Sequence, residues 1–296
     1  MDLRYYSICI AVIAGALTDR FIGHGREPLS SVLPRRFTSF VANALYRGPD
    51  SDNTKSSKGL ILTLLVTSLF TGLAFILVLL SSKPGPVFET VVSAFLFYLT
   101  ISAGTIRKTA SKVNESLRKN RFDEKKAERA IRDIARSVSS KIVAPIFFMV
   151  IGGPVFAVFY KIVDILREFT GAGTRYNSFS RYAYILSDFL EFFPARIAAL
   201  IMLEASYLMK LDSRSAFRIF VRDRKMPRDL NSGQTVSMAA GALGIRFTED
   251  GVPIGDHVWN VSAEDVNRIS RLSDITELIT LILFCAIRLL ATGKFA

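Results

Sequence analysis

The sequence is poor in the residues that metal proteins and many hydrolases depend on. Among 296 residues there are two cysteines, two histidines and one tryptophan. Cys9 and Cys285 both lie inside apolar blocks, which excludes a disulfide framework and a thiolate metal site. His24 and His257 stand in no ligand spacing and are too few for a histidine cluster. The strings HExxH, GxxxxGK[ST], GxSxG and the RNP type are absent. So is any internal repeat of the length that marks a solenoid.

Charge is missing from one stretch altogether. Residues 59–80, GLILTLLVTSLFTGLAFILVLL, carry no charge, no proline and no Asn or Gln. At 1.5 Å per residue such a helix crosses a hydrocarbon core of roughly 30 Å. Its polar atoms are the hydroxyls of Thr63, Thr67, Ser68 and Thr71, which can bond back to the preceding turn. A buried helix of a large soluble protein is the rival reading, and the uncharged length favours a membrane span.

What the chain does have is apolar residues in blocks, with cations between them. Half of it is hydrophobic, phenylalanine occurs 23 times, and the net charge is +12. Such a balance fits nucleic acid, anionic lipid or the cytoplasmic bias of basic loops. The apolar blocks put the last two first, and the basic stretch lacks the interleaved aromatics that stack on bases. No nucleic acid is therefore expected as a partner.

The fold class expected is an all-α polytopic membrane protein, one integral membrane domain over 1–296. It has five or six membrane segments, near 5–17, 59–80, 87–102, 142–160, 192–209 and 275–290. Residues 18–58, 103–141 and 210–273 form the polar stretches. Segment 5–17 has a signal-peptide core as its rival, but it lacks a small-residue cleavage site and further apolar blocks follow it. Segment 142–160 is broken by Pro145 and Gly152-Gly153-Pro154. It is either a kinked span or two half-segments that re-enter on one side. Arg196 and Glu204 lie inside 192–209 and should face a protein interior or a wet cavity, while Arg288 can snorkel.

Among the polar stretches, 103–141 holds about two basic residues for each acidic one, which predicts a cytoplasmic loop. Within it, Ala127, Ile131 and Ile134 mark an amphipathic helix. Arg35-Arg36 followed by FTSFVANAL reads as a surface helix, 48–58 as an exposed loop, and 248–258 as turns. A helix over 261–272 would start at a Ser262 cap with Asp265 in its first turn.

Several strings, in order, resemble the adenosylcobinamide-phosphate synthase family (CobD/CbiB) of cobalamin biosynthesis. They are Ala144-Pro145-Ile146-Phe147-Phe148 with Gly152-Gly153-Pro154, Tyr160-Lys161, and Asp188 followed by Pro194-Ala195-Arg196. Arg222-Asp223, Ala240-Gly241-Ala242-Leu243-Gly244, Pro253-Ile254-Gly255-Asp256 and Ala263-Glu264-Asp265-Val266 continue the series. Asp19 and Gly23 fit a first-loop string in part. The resemblance implies a multi-pass cell-membrane enzyme that joins aminopropanol, or its phosphate, to a propionate carboxyl of adenosylcobyric acid. ATP would activate the carboxyl, making an ATP-dependent amide ligase, and Mg²⁺ would assist. It further implies Asp188, Asp223 and Asp256 as catalytic carboxylates, and Arg196, Arg222 and Asn231 as substrate-binding groups. The implied partners are lipid, the corrinoid substrate, and either other corrinoid enzymes or a second copy of the chain.

The chain departs from the family pattern where the family is acidic. Ala135–Lys141, ARSVSSK, stands where the family carries an acidic ESVAENxxDG motif. Family Asn and Asp positions after Tyr160-Lys161 fall on Asp164 and Arg167, and a family Glu falls on Val236. The GDP of the first loop becomes Gly23-His24-Gly25. Lost carboxylates remove groups for Mg²⁺ and proton transfer. The alternative is thus a catalytically degenerate paralogue acting as a membrane scaffold or binding protein. A transporter ranks third, for want of a repeat.

Overall fold

The computed structural model describes residues 3–22, 29–46, 51–119, 123–170, 178–227, 229–249, 251–256 and 260–293. The Gly23-His24-Gly25 string, Arg228 and His257 lie outside these residues. Eleven α-helices and one short hairpin make up the described chain. They are α1 Leu3–Ile22, α2 Leu29–Leu45, α3 Asp52–Ser81, α4 Pro86–Thr100, α5 Ala103–Lys119 and α6 Glu124–Val138, then α7 Ala144–Thr170, α8 Arg181–Leu208, α9 Ser213–Asp223, α10 Leu230–Leu243 and α11 Ala263–Gly293. A π-helical turn, Ser139–Val143, joins α6 to α7, and a 3₁₀ turn, Ser178–Ser180, precedes α8. β1 Phe247–Glu249 and β2 Val252–Ile254 pair antiparallel, Phe247 opposite Ile254.

The all-α expectation holds, with local changes. The loop expected over 48–58 is helical from Asp52, because Ser51 caps α3 by accepting from the Thr54 N–H. At the start of α11 it is Asp265 that closes the turn, its Oδ2 accepting from both the Ser262 N–H and hydroxyl at 2.9 and 2.8 Å, so the Ser262 hydroxyl donates to a side chain instead of accepting a backbone N–H as a cap would. The helix it starts does not stop at 272 but runs on through the last apolar segment. The turn-rich stretch after 247 closes into the β1–β2 hairpin instead of remaining irregular.

Among the described residues, three stretches are long and apolar enough to cross a membrane: Asp52–Ser81, Pro86–Ser116 and Glu124–Phe169. Their exposed faces are apolar. On α3, Leu69, Leu73, Ile76 and Leu80 are exposed, while Gly59, Leu62, Thr63, Val66 and Thr67 are buried. Small and hydroxylated residues turn inward and leucines outward, the arrangement expected where the solvent is lipid. The Thr63 and Thr67 hydroxyls donate to the carbonyls of Gly59 and Thr63 at 2.8 and 2.6 Å.

The described chain divides into two compact units. In the first, residues 1–101, 145–190 and 284–296, α1 packs along α4. Gly15 makes this possible, since a Cβ there would stand 2.7 Å from the Phe97 ring. Leu62 and Val66 of α3 meet Ile162, Ile165 and Leu166 of α7, together with Phe179 and Ala183. In the second unit, residues 102–144 and 191–283, α10 is the centre. Every residue from Asn231 to Leu243 is buried. It packs on α9 and α6, and α6 on α5. Gly241 lets α9 come within contact, a Cβ there being 2.6 Å from Ser215 O. Gly244, at φ 66°, closes α10 in the left-handed conformation.

Segment 142–160 resolves into a hairpin. Gly153 has φ 76° and ψ −172°, far from helical values, and divides α7 into two arms. The Phe148 and Tyr160 rings stack with centroids 5.1 Å apart. Twelve residues of unbroken helix would hold them about 18 Å apart, so the chain folds back at Gly152-Gly153-Pro154. Proline gives up no hydrogen bond at such a helix start. A Phe148→Cys/Tyr160→Cys pair, in a chain with Cys9 and Cys285 replaced by Ala, should be bridged by a short bismaleimide in membranes. Lack of crosslinking, read as no change in protease fragment linkage, would mean a straight helix.

Candidate functional site

The second unit brings three of the sequence strings together. Arg222 ends the outward side of α9. Its guanidinium takes Asp223 in a fork, Nε to Oδ1 at 2.6 Å and Nη2 to Oδ2 at 2.8 Å. The remaining nitrogen, Nη1, reaches Asp256 Oδ1 at 2.8 Å. Asp223 Oδ2 also accepts the Gly255 N–H at 2.8 Å, and Arg218 Nη2 approaches Asp256 Oδ2 at 3.3 Å. The Pro253-Ile254-Gly255-Asp256 string thus leaves β2 and docks on the Arg222-Asp223 string.

Glycine makes the docking geometry available. Gly255 has φ +90°, and a Cβ on it would lie 2.5 Å from Ile245 O and 2.8 Å from the Ala240 Cβ. The Ala240-Gly241-Ala242-Leu243-Gly244 string therefore serves packing on both sides, against α9 through Gly241 and against the β2 exit through Ala240. Asn231 is buried in the first turn of α10, where its N–H donates to the capping Asp229 Oδ1 at 3.1 Å. Arg196, on α8, donates from Nη1 to the Phe192 carbonyl at 2.5 Å and lies 3.6 Å over the Phe192 ring. Asp188 belongs to the other unit.

Electrostatics follow from burial. Asp223 is 1% exposed. Burial pushes its carboxyl up, but the Arg222 hydrogen bonds, the Gly255 N–H and the Arg222 charge together outweigh this and hold it below the usual range. The same bonds to Asp223 and then Asp256 push the Arg222 guanidinium up. Asp223 is thereby placed to position Arg222 and the Gly255-Asp256 turn, with both of its oxygens occupied. Arg222 and Asp256 are partly exposed, and Arg218 more so.

Mg²⁺, implied by the resemblance, finds a poor set of donors here. All four carboxylate oxygens of Asp223 and Asp256 already accept from Arg222, Arg218 or Gly255. No group of three His, Cys, Asp or Glu among the described residues could hold a metal ion. The cluster does not fit a resident Mg²⁺.

Three polar groupings escaped the sequence reading. In the first unit, Lys161 and Asp164 form a buried pair at 3.4 Å, and Arg167 Nη1 lies 3.4 Å from Ser187 Oγ, beside the Tyr184 ring. In the second, Arg107 reaches Asp274 at 2.8 Å and Glu277 at 2.5 Å. Glu277 was visible as the one acid inside the last apolar block, but its partner is 170 residues away. The polar face of α6 also grips the β-hairpin, Glu128 accepting the Thr248 N–H at 2.8 Å and Arg132 donating to Thr248 O at 2.6 Å. The sequence marks the buried face of this helix through Ala127, Ile131 and Ile134, but not this use of its polar face.

A membrane-embedded helical chain with this arginine–carboxylate cluster defines the class: a polytopic helical protein that carries a folded polar unit. The CobD/CbiB protein family model matches residues 124–282, more than half of the chain, and the chain belongs to that family. It is similar to the cobalamin biosynthesis protein CobD of Clostridium perfringens, 28% identical over 90% of each chain. It is also similar to CobD of Listeria monocytogenes, 27% identical over 78% of this chain and 83% of the relative. CbiB of Salmonella typhi is 26% identical over 86% and 88%. No solved structure matches the chain. The matched region contains Arg222, Asp223, Asn231 and Asp256, and Asp188 and Arg196 as well.

Arg222→Ala should destabilise the protein by about 1–3 kcal/mol, because Asp223 keeps its burial and loses its fork. Asp223 has a lowered carboxyl, so its contribution is full above the usual carboxylate range and fades as pH falls through its folded value. The thermal midpoint of the native protein in detergent should exceed that of Asp223→Asn at neutral pH. The gap should close below about pH 4.

Proposed function

We propose that this chain acts in cobalamin biosynthesis as a multi-pass cell-membrane protein, forming the amide between aminopropanol, or its phosphate, and a propionate carboxyl of adenosylcobyric acid. The supporting observation is family membership over 124–282 together with the convergence of the matched strings on one cluster around Arg222. The propionate carboxyl of adenosylcobyric acid and the phosphate of aminopropanol phosphate are anionic groups, and ATP, which would activate the carboxyl, carries more negative charge. A half-exposed Arg222 with Arg218 beside it offers cations held by a buried carboxylate, a preorganised site for charge developing on a carboxyl or phosphate. Asp256, at the rim, would turn from its arginine partners to the incoming amine and accept its proton as the C–N bond forms and the acyl C–O bond to the phosphate or AMP left by ATP breaks, that group departing as the leaving group. Asp223 works through Arg222. Asn231, Arg196 and Asp188 are assigned substrate contacts or catalysis on the resemblance alone.

A second reading has its own support. Every oxygen of Asp223 and Asp256 is already bonded, and the family's acidic motif is replaced by ARSVSSK. Both fit a paralogue that binds a corrinoid without converting it, as a scaffold for other corrinoid enzymes or as a homo-oligomer.

The purified protein in detergent, supplied with adenosylcobyric acid, aminopropanol phosphate, ATP and Mg²⁺, should yield a corrinoid heavier by the amide-linked group in mass spectrometry. Asp256→Asn should lower that yield at least tenfold, about 1.4 kcal/mol in barrier. Corrinoid binding with no product from the native chain would select the scaffold reading.

A further inference from the structure

Apart from Arg218, which reaches Asp256, the outward face of α9 has no use in the site just described. Phe217 and Val221 are 50% and 54% exposed. Arg214 and Arg218 share that side of the helix, and Lys225 and the exposed Met226 follow its end. The opposite side, Ser215, Ala216, Ile219, Phe220 and Asp223, is buried. In water this pattern leaves large apolar side chains uncovered between cations. At a lipid surface both kinds are satisfied at once.

Two grooves border this face. One is lined by Leu203, Glu204 and Tyr207 of α8 with Ser213, Arg214 and Phe217 of α9, so the α9 face continues onto the exposed end of α8, where Tyr207 and Leu208 are 68% and 62% exposed. The other is lined by Met209, Arg271, Asp274 and Ile275. Ile275 is where α11 changes from charged to apolar sequence, the level at which a helix enters hydrocarbon. Met209 follows the last residue of α8 and sits at that level. Lys210, at φ 56°, then reverses the chain, and Asp212 caps α9 by accepting from the Ser215 N–H at 2.8 Å. The helix begins where the apolar layer ends.

We propose that α9 and the adjoining end of α8 form a lipid-docking surface, in which Phe217 and Val221 enter the acyl boundary and Arg214 and Lys225 meet anionic phosphate headgroups. The occupant is the bilayer in which the protein is already embedded. Charge complementarity selects anionic over zwitterionic lipid.

The full chain with Trp259, its sole tryptophan, replaced by Phe gives a silent background. Val221→Trp in it, reconstituted in vesicles of brominated phosphatidylcholine with phosphatidylglycerol, should lose emission to the bromines. The loss should match that of Leu278→Trp, on the exposed apolar part of α11, and iodide should have little effect. Lys125→Trp, on the outward side of α6, should show the reverse. Removing phosphatidylglycerol should reduce the bromine quenching of Val221→Trp but not of Leu278→Trp. If Val221→Trp does not fold, Phe217→Trp reads the same face. Quenching by iodide and not by bromine would overturn the proposal in favour of water. Shielding from both would overturn it in favour of a covering protein surface, and equal quenching without phosphatidylglycerol would overturn the headgroup assignment.

Discussion

Hydrocarbon offers a peptide group nothing to bond with, and most of this architecture follows from that. Helices satisfy their own backbone, so the uncharged block of α3 has one low-cost conformation. Its threonines add no unpaired hydroxyl at Thr63 or Thr67, because each bonds to the carbonyl one turn back. Where the backbone must break, at Gly153, the break is made by residues that lose least. Glycine accepts φ 76°, the following proline has no N–H to strand, and stacked rings of Phe148 and Tyr160 close the arms. The result is an apolar hairpin instead of a single pass.

In the polar unit a different economy rules. A small-residue helix, α10, is buried on all sides, and close approaches at Gly241 and Gly255 hold α9 and the β2 exit against it. Asp223 is buried beside α10, and the fork from Arg222 with the Gly255 N–H holds its carboxyl below the usual range there. Fixing the guanidinium from behind leaves its remaining nitrogen and its neighbour Arg218 facing outward.

The helices and their rough limits could be read from the sequence because apolar length and cap residues are local signals. Ser262 with Asp265, and Ala127 with Ile131 and Ile134, were legible for that reason. The strand pair at 247–254 was not, since three residues per strand give no periodicity and the pairing is held by Glu128 and Arg132 from a distant helix. Arg222, Asp223 and Asp256 were legible as a set only through the family strings. Their geometry was not, because nothing local says that Arg222 grips its own sequence neighbour and a turn 34 residues away. The hairpin was left as one of two alternatives, and only the contact between rings twelve positions apart decides it.

The π turn at Ser139–Val143 has a consequence for comparing this chain with its relatives. Such a turn holds one more residue than an α-turn, so α6 reaches α7 with its side-chain phase advanced by a single position. It falls within ARSVSSK and the residues just after it, where the family's acidic motif is expected. A residue-for-residue alignment through this point therefore shifts faces: a relative whose helix lacks the extra residue would present the next side chain inward. Against such a relative, equivalence follows the direction of the side chains and not their ordinal position.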